Sequence, residues 1–199
     1  MTVDTSDIVR YLRMGSAEPN PALSARIDEL RNLAMAKIRT AYTWKRFALS
    51  EGGILSGGKN LPVAGTLASH LCGCREVYLL CGTIGTGFDA LLRRVSAISG
   101  ADALILQAIG TAAIEGLMNS AEDEIKKELS AGESLTTRYS PGYGDFPLSS
   151  QHTILNLLDA SRKVGISLTD TMLMTPSKSV SAVVGVKSTT GGKMPPADS

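Results

Sequence analysis

The segment Arg138-Tyr139-Ser140-Pro141-Gly142-Tyr143-Gly144-Asp145-Phe146-Pro147-Leu148 holds the densest set of chemically capable residues in this 199-residue sequence. Arg138 carries a planar fork that matches a carboxylate through two parallel hydrogen bonds. Tyr139, Tyr143 and Phe146 offer flat faces for a heterocycle or a cation. Two prolines fix φ and two glycines free it, so the backbone path is closely specified. Pro141 interrupts regular pairing, which leaves N–H and C=O groups around Ser140 and Gly142 to read polar edges. Glu115, on the small-residue face of a predicted helix, is placed to meet an ammonium group. A ligand with a carboxylate, an ammonium, a sulfonium and an adenine would engage all of these. Composition alone leaves a second reading open: a structural turn whose arginine caps a helix and whose tyrosines fill the core.

Other candidate chemistry is weaker. Gly82-Thr83-Ile84-Gly85-Thr86-Gly87 joins a predicted strand to a helix, but its spacing is neither a dinucleotide fingerprint nor a P-loop. It reads as a tight turn. His70, Cys72 and Cys74 are too few for a closed metal site, so the cysteines read as small buried apolar residues and no metal is expected. No Ser/His/Asp order or nucleophile elbow is present, and no catalytic side chain is evident.

The elements that must position the loop follow from periodicity. Thr5–Met14 predicts a short helix, and Pro21 opens a longer one reaching about Thr43, with Leu23, Ile27, Leu30, Ala34 and Ile38 on one stripe. Trp44, Phe47 and Leu49 read as the buried side of a strand. Paired glycines at 52–53 and 57–58 bracket short strands, and 63–71 reads as a short helix. Arg75–Thr83 is apolar on both faces and should be central. Thr86 caps a helix with Phe88, Leu91, Leu92, Val95 and Ile98 on one side, ended by Gly100, and Asp89 is placed to reach back to its start. Asp102–Leu129 is one long helix, with Gly110 and Gly116 as close-approach points and Glu122–Glu128 as a solvated face. Ser149 or Ser150 starts a leucine-rich helix stopped by Gly165. Leu168–Met174 is partly strand, and Ser179–Val186 is a strong β-branched strand.

Hydrophobic residues make up 43% of the chain, enough for a sizeable core, and the formal net charge is +1. Lysine and arginine are scattered, which argues against nucleic acid as a partner. We read no apolar stretch of membrane-spanning length, no signal peptide and three unpaired cysteines, and expect a cytoplasmic protein without a membrane partner. Residues 1–186 are expected to form one domain, with 1–45 helical, and 187–199 a mobile polar tail.

The string Arg138-Tyr139-Ser140-Pro141-Gly142-Tyr143 resembles the R-x-x-P-G-Y motif of the activation (reactivation) domain of cobalamin-dependent methionine synthase. Pro147, the helix from Gln151, Leu168-Thr169-Asp170 and Ser179-Val180-Ser181 resemble later segments of that family in order and spacing, and 75–186 is the best-matching part. The resemblance implies an α+β fold: one twisted, mainly antiparallel, C-shaped sheet flanked by helices. It implies binding of S-adenosylmethionine and docking onto a corrinoid-carrying protein, where the module supports reductive remethylation of oxidised cob(II)alamin. Arg138 would hold the ligand carboxylate, Ser140, Gly142 and Tyr143 would contact adenosine, and Glu115 would lie near the amino group. Cobalamin would be carried by the partner, and flavodoxin or another low-potential donor would supply the electron. The short chain is expected to act in trans. The alternative from another class is a scaffold that binds a corrinoid protein without using S-adenosylmethionine. The aromatic segment that follows the family's last strand has no counterpart here.

Overall fold

The periodicity of the first forty residues is realised as two helices, α1 (Thr5–Tyr11) and α2 (Pro21–Lys37), in the computed structural model, which describes residues 3–14 and 19–188. The Asn20 side chain accepts from the Leu23 N–H at 2.9 Å, and Pro21 sits in the first turn, where no donor is needed. α2 stops well short of Thr43. The run Ala-Tyr-Thr-Trp favours extended backbone and opens β1 (Ala41–Ala48). β2 (Ile54–Ser56) and β3 (Lys59–Leu61) form a hairpin. Its turn places Gly57 and Gly58 at φ +57° and +73°, a left-handed path that glycine follows without Cβ strain. α3 (Gly65–His70), β4 (Cys74–Thr83), α4 (Thr86–Ser96) and α5 (Gly100–Lys127) follow. Then come β5 (Glu133–Leu135), α6 (Ser150–Leu158), α7 (Ala160–Val164), β6 (Ser167–Leu168), β7 (Met174–Thr175) and β8 (Ser179–Ser188).

The main sheet has the order β1-β4-β8-β5 and is antiparallel throughout. β4 and β8 are central, and their apolar runs are covered on both faces. α1, α2, α4 and α5 pack on one face against Tyr78, Leu80, Ala182 and Val184. α3, the β2–β3 hairpin, α6 and α7 pack on the other against Val77, Leu79, Cys81 and Val183. The fold class is therefore α+β, an antiparallel sheet flanked by helices, as the resemblance implied.

Several local expectations are corrected. Trp44 does not share a side with Phe47 and Leu49: an interval of three reverses the pleat, so Trp44 packs with the α5 layer and the other two with the α6 layer. Thr86 is the first helical residue of α4, and its N-cap is Gly85. Ile98 is exposed, and Gly100 starts α5 rather than ending α4, with Ser99 Oγ accepting from the Asp102 N–H. Asp89 does not reach back to its own helix start; it accepts from the Ser177 N–H at 2.8 Å and from the Ser177 hydroxyl. α6 ends at Asp159, whose left-handed φ of 54° breaks the helix before α7, and Gly165 stops α7. Lys187 and Ser188 belong to β8, and the expected tail beyond them lies outside the described residues.

α5 is long and apolar enough, by length and composition, to cross a membrane, contrary to the sequence reading. More than half of its most apolar window is buried inside this protein. It crosses α4 closely at Gly110, where a Cβ would lie 2.5 Å from Phe88 Cζ. Gly116 faces open space and makes no such approach.

Cys81 is buried in β4, and burial pushes its thiol up to about 12, whereas Cys72 is exposed rather than buried as expected. Only thiolate reacts readily. Mild alkylation of the native protein should modify Cys72 and leave Cys81 intact until denaturant is added. Intact-mass spectrometry counts the adducts, and native labelling of Cys81 would contradict this burial.

Candidate functional site

The site begins where the sheet runs out of partners. β5 pairs with β8 over only three positions, from Glu133↔Ser188 to Leu135↔Val186. The chain then stays against β8 through the Thr136 N–H to Gly185 C=O bond and the reciprocal Tyr139–Val183 bonds, all 2.9 Å. Pro141 next turns it away. Ser179–Ser181 of β8 is left as an edge, and a cleft of about 510 Å³ lies along it. Glu115 and Glu122 line it from α5, Arg138–Pro141 and Tyr143 from the loop, and Gln151 from α6, with Met174, Ser179, Val180 and Ser181.

Arg138 lies against α5. Its Nη2 donates to Glu115 Oε2 at 2.7 Å, its Nη1 to Glu122 Oε1 at 2.8 Å, and both nitrogens to Asn119 Oδ1 at 3.0 Å. The three partners recur at i, i+4 and i+7, which places them on one helical face. That spacing was the available signal for Asn119 and Glu122, and the sequence reading assigned Glu122 to a solvated face instead. Glu122 and Arg138 side chains are only 18% and 19% exposed. One arginine between two carboxylates leaves this group one formal negative charge.

Beyond Glu122 the charged residues of that stretch, Asp123, Glu124, Lys126, Lys127 and Glu128, are exposed as expected, and some also have partners. Glu124 accepts from the Tyr42 hydroxyl, and Glu128 from Trp44 Nε1 and the Tyr78 hydroxyl. The Tyr42 and Trp44 rings stack with centroids 5.6 Å apart.

The loop divides into bracing and cleft-facing residues. Phe146 is buried in the α6-side core. The Tyr139 ring lies tilted against His70, with centroids 4.9 Å apart, and its hydroxyl donates to Thr66 Oγ1 at 2.8 Å. Asp145 accepts from the Thr66 N–H at 2.9 Å and from the Thr66 hydroxyl, capping the start of α3. Gly142 does not line the cleft. Its N–H donates to the Phe146 C=O at 2.8 Å, and the Ser140 C=O accepts from the Tyr143 N–H at 3.2 Å, so these backbone groups serve the turn rather than standing free. Arg138, Ser140, Tyr143 and Glu115 meet at the cleft, and Tyr143 is 66% exposed.

The Thr66 hydroxyl, and then its amide, hold Asp145 below the ordinary carboxylate range. A depressed folded value stabilises the fold above the unfolded-state range, and this contribution is lost as pH falls through the folded value. Acidification below about pH 4 should therefore lower the wild-type melting temperature through this cap. Asp145→Asn should be less stable at neutral pH and show a shallower acid dependence. Parallel acid profiles for the two proteins would remove Asp145 from that role.

Two polar side chains at the cleft were not singled out by sequence: Gln151 and Ser181, 7% and 2% exposed. Gln151 Oε1 and Ser181 Oγ are buried and lack a hydrogen-bond partner among the described residues. Both stand in segments that resemble the family, but their residue types and spacing alone point to no particular chemistry. His70, weighed as a metal ligand and set aside, is within hydrogen-bond distance of the Thr137 C=O through Nε2 at 2.8 Å. No group of three or more potential metal ligands occurs among the described residues.

Residues 116–190, from the second half of α5 through the Arg138 loop to β8, match the family model described as the vitamin B12 dependent methionine synthase activation domain. The chain is similar to that activation domain. Its fold agrees: the solved MetH reactivation domain bound to AdoHcy superposes with a TM-score of 0.56 over 91% of this chain and 70% of that one, at 18% identity. No curated protein matches the sequence. The activation-domain match spans Arg138, Ser140, Gly142, Tyr143, Gln151 and Ser181, whereas Glu115 lies one residue before it.

Proposed function

We propose that this protein is an S-adenosylmethionine-binding activation module. It supports reductive remethylation of an oxidised corrinoid, cob(II)alamin, in a cobalamin-dependent methionine synthase or related methyltransferase, acting in trans. The observation that carries this reading is the convergence of Arg138, Glu115, Glu122 and Tyr143 on one cleft, next to the open edge of β8. The donor set fits the ligand. An amino-acid carboxylate can take the place of one glutamate on the Arg138 fork, and the ligand ammonium can pair with the glutamate released. Charge pairing is kept while the partners change. The remaining negative charge suits a sulfonium, and Tyr143 offers its exposed ring to a base or a cation.

When bound, S-adenosylmethionine supplies the methyl group. The protein's own residues bind and orient it, exclude water and present a docking face. Cobalamin belongs to the partner in this reading, and a low-potential donor such as flavodoxin supplies the electron. The match over residues 116–190 and the shared fold support the assignment.

One observation favours the competing reading, a corrinoid-protein scaffold that does not use S-adenosylmethionine. The Arg138 fork is already filled from within the chain. Calorimetric titration with S-adenosylmethionine separates the two. Saturable heat with the wild type supports the module, and none supports the scaffold. Recovery of an oxidised corrinoid methyltransferase, given this protein, S-adenosylmethionine and a reductant, tests the activity itself.

A further inference from the structure

The cleft has two chemically different sides. The charged residues, Glu115 and Glu122 with Arg138 laid on them, belong to the α5 side of the sheet. Along β8, Val180, Ala182, Val184 and Val186 pack toward α5, and Val183 packs toward α6. Alternation therefore places the Ser181 side chain on the α6 side. Gln151, in the first turn of α6, lines the cleft from that same side. Both side chains are more than nine-tenths buried, both are neutral, and each carries a polar atom without a partner among the described residues.

Backbone parity adds a third element. The N–H and C=O of Val183 both bond to Tyr139, so they point away from β4. Residues two apart on a strand direct these groups the same way. Ser181 therefore presents its N–H and C=O toward the open edge, past the last bridge with the loop. A buried polar atom left unpaired destabilises the free protein unless something else pairs with it. Here the two residues that carry such atoms and an open strand edge line one cleft.

We infer that Gln151 and Ser181 hydrogen-bond the heterocyclic base of a nucleoside-type ligand, while the Arg138 group holds its charged end. The inference rests on the ligand reading above and adds to it the residues that select the base. A glutamine amide offers a donor beside an acceptor. That pattern complements the adjacent amino group and ring nitrogen of adenine. A half-turn of the amide exchanges the two, so either order on the base is met. The Ser181 hydroxyl donates or accepts as the ring requires. Neither residue carries charge, so neither competes with Arg138 for the ligand carboxylate.

The test is calorimetry of wild type, Gln151→Met and Ser181→Ala with S-adenosylmethionine, adenosine and methionine, together with melting of each ligand-free protein. Each substitution should weaken S-adenosylmethionine and adenosine binding about tenfold and leave methionine binding unchanged. The ligand-free variants should melt at or above the wild-type temperature, because an unpaired polar atom has been removed. A merely structural role would lower the melting temperature instead, and that result overturns the inference. Affinities within twofold of wild type in both variants overturn it as well, while leaving the ligand reading intact. Absence of S-adenosylmethionine binding by the wild type removes the reading and the inference together.

Discussion

Arg138→Ala is expected to weaken S-adenosylmethionine binding by about ten- to 150-fold, the range set by about 1.5–3 kcal/mol for a hydrogen bond to a charged group. The same change strips two carboxylates of their shared cation, and one of them, Glu122, is mostly buried. Stability should fall by about 1–2 kcal/mol, read as a lower urea midpoint. Arg138→Lys should not restore binding, because an ammonium lacks the planar fork. Glu122→Gln added to Arg138→Ala should recover stability without recovering binding, since it removes the stranded charge and supplies no new donor for the ligand carboxylate. That dissociation distinguishes a ligand-holding arginine from a structural one. Equal S-adenosylmethionine affinity in wild type and Arg138→Ala would end the ligand reading of the loop.

Phe88→Ala is expected to cost about 3–5 kcal/mol, a large fraction of the stability of a domain this size. Phe88 is fully buried between α4 and α5, with its ring tip over Gly110. Gly110→Ala alone should also destabilise: its methyl would meet Phe88 Cζ at 2.5 Å and Lys178 Cε at 3.1 Å. Overpacking of that kind costs about 1–3 kcal/mol and outweighs the helix-propensity gain of about 1 kcal/mol. In the Phe88→Ala background the sign should reverse. The ring clash is then gone and only the flexible end of Lys178 has to give slightly, so Gly110→Ala keeps the propensity gain and refills part of the cavity. Chemical denaturation of the four proteins gives the coupling. Additive effects would mean that the two residues do not share the contact.

The parts of the fold that could be read from sequence were those with a sustained pattern. β4 and β8 are long apolar runs, and the β2–β3 turn is written in two glycines. β5 escaped because Glu-Ser-Leu holds one apolar residue, and its pairing is set by β8 rather than by its own sequence. Trp44 was assigned to the wrong face because an interval of three suits a helix stripe, not a strand. Within the site, Arg138, Ser140 and Tyr143 were visible as unusual residues close together in the chain. Asn119 and Glu122 were hidden because an acidic helix end ordinarily faces water, and only the return of Arg138 gives those residues a partner. Gln151 and Ser181 stood in segments that resemble the family but were given no role in the site, since an unpaired buried atom is a property of packing.

The position of β8 also bears on how the chain reaches its native state. β4 sits between β1 and β8, and its pairing from Thr83↔Ser179 to Cys74↔Lys187 joins residues about a hundred positions apart. Contacts of such long range form slowly, because a large loop must close before they contribute. Until Ser179–Ser188 has been synthesised, β4 has an open apolar edge, and the helices on both faces lack the β8 residues they cover. Newly made chains should therefore pass through an interval in which β4 is exposed to pairing with other chains. Late closure by one strand couples the two layers, so they should gain protection from hydrogen exchange together rather than in sequence.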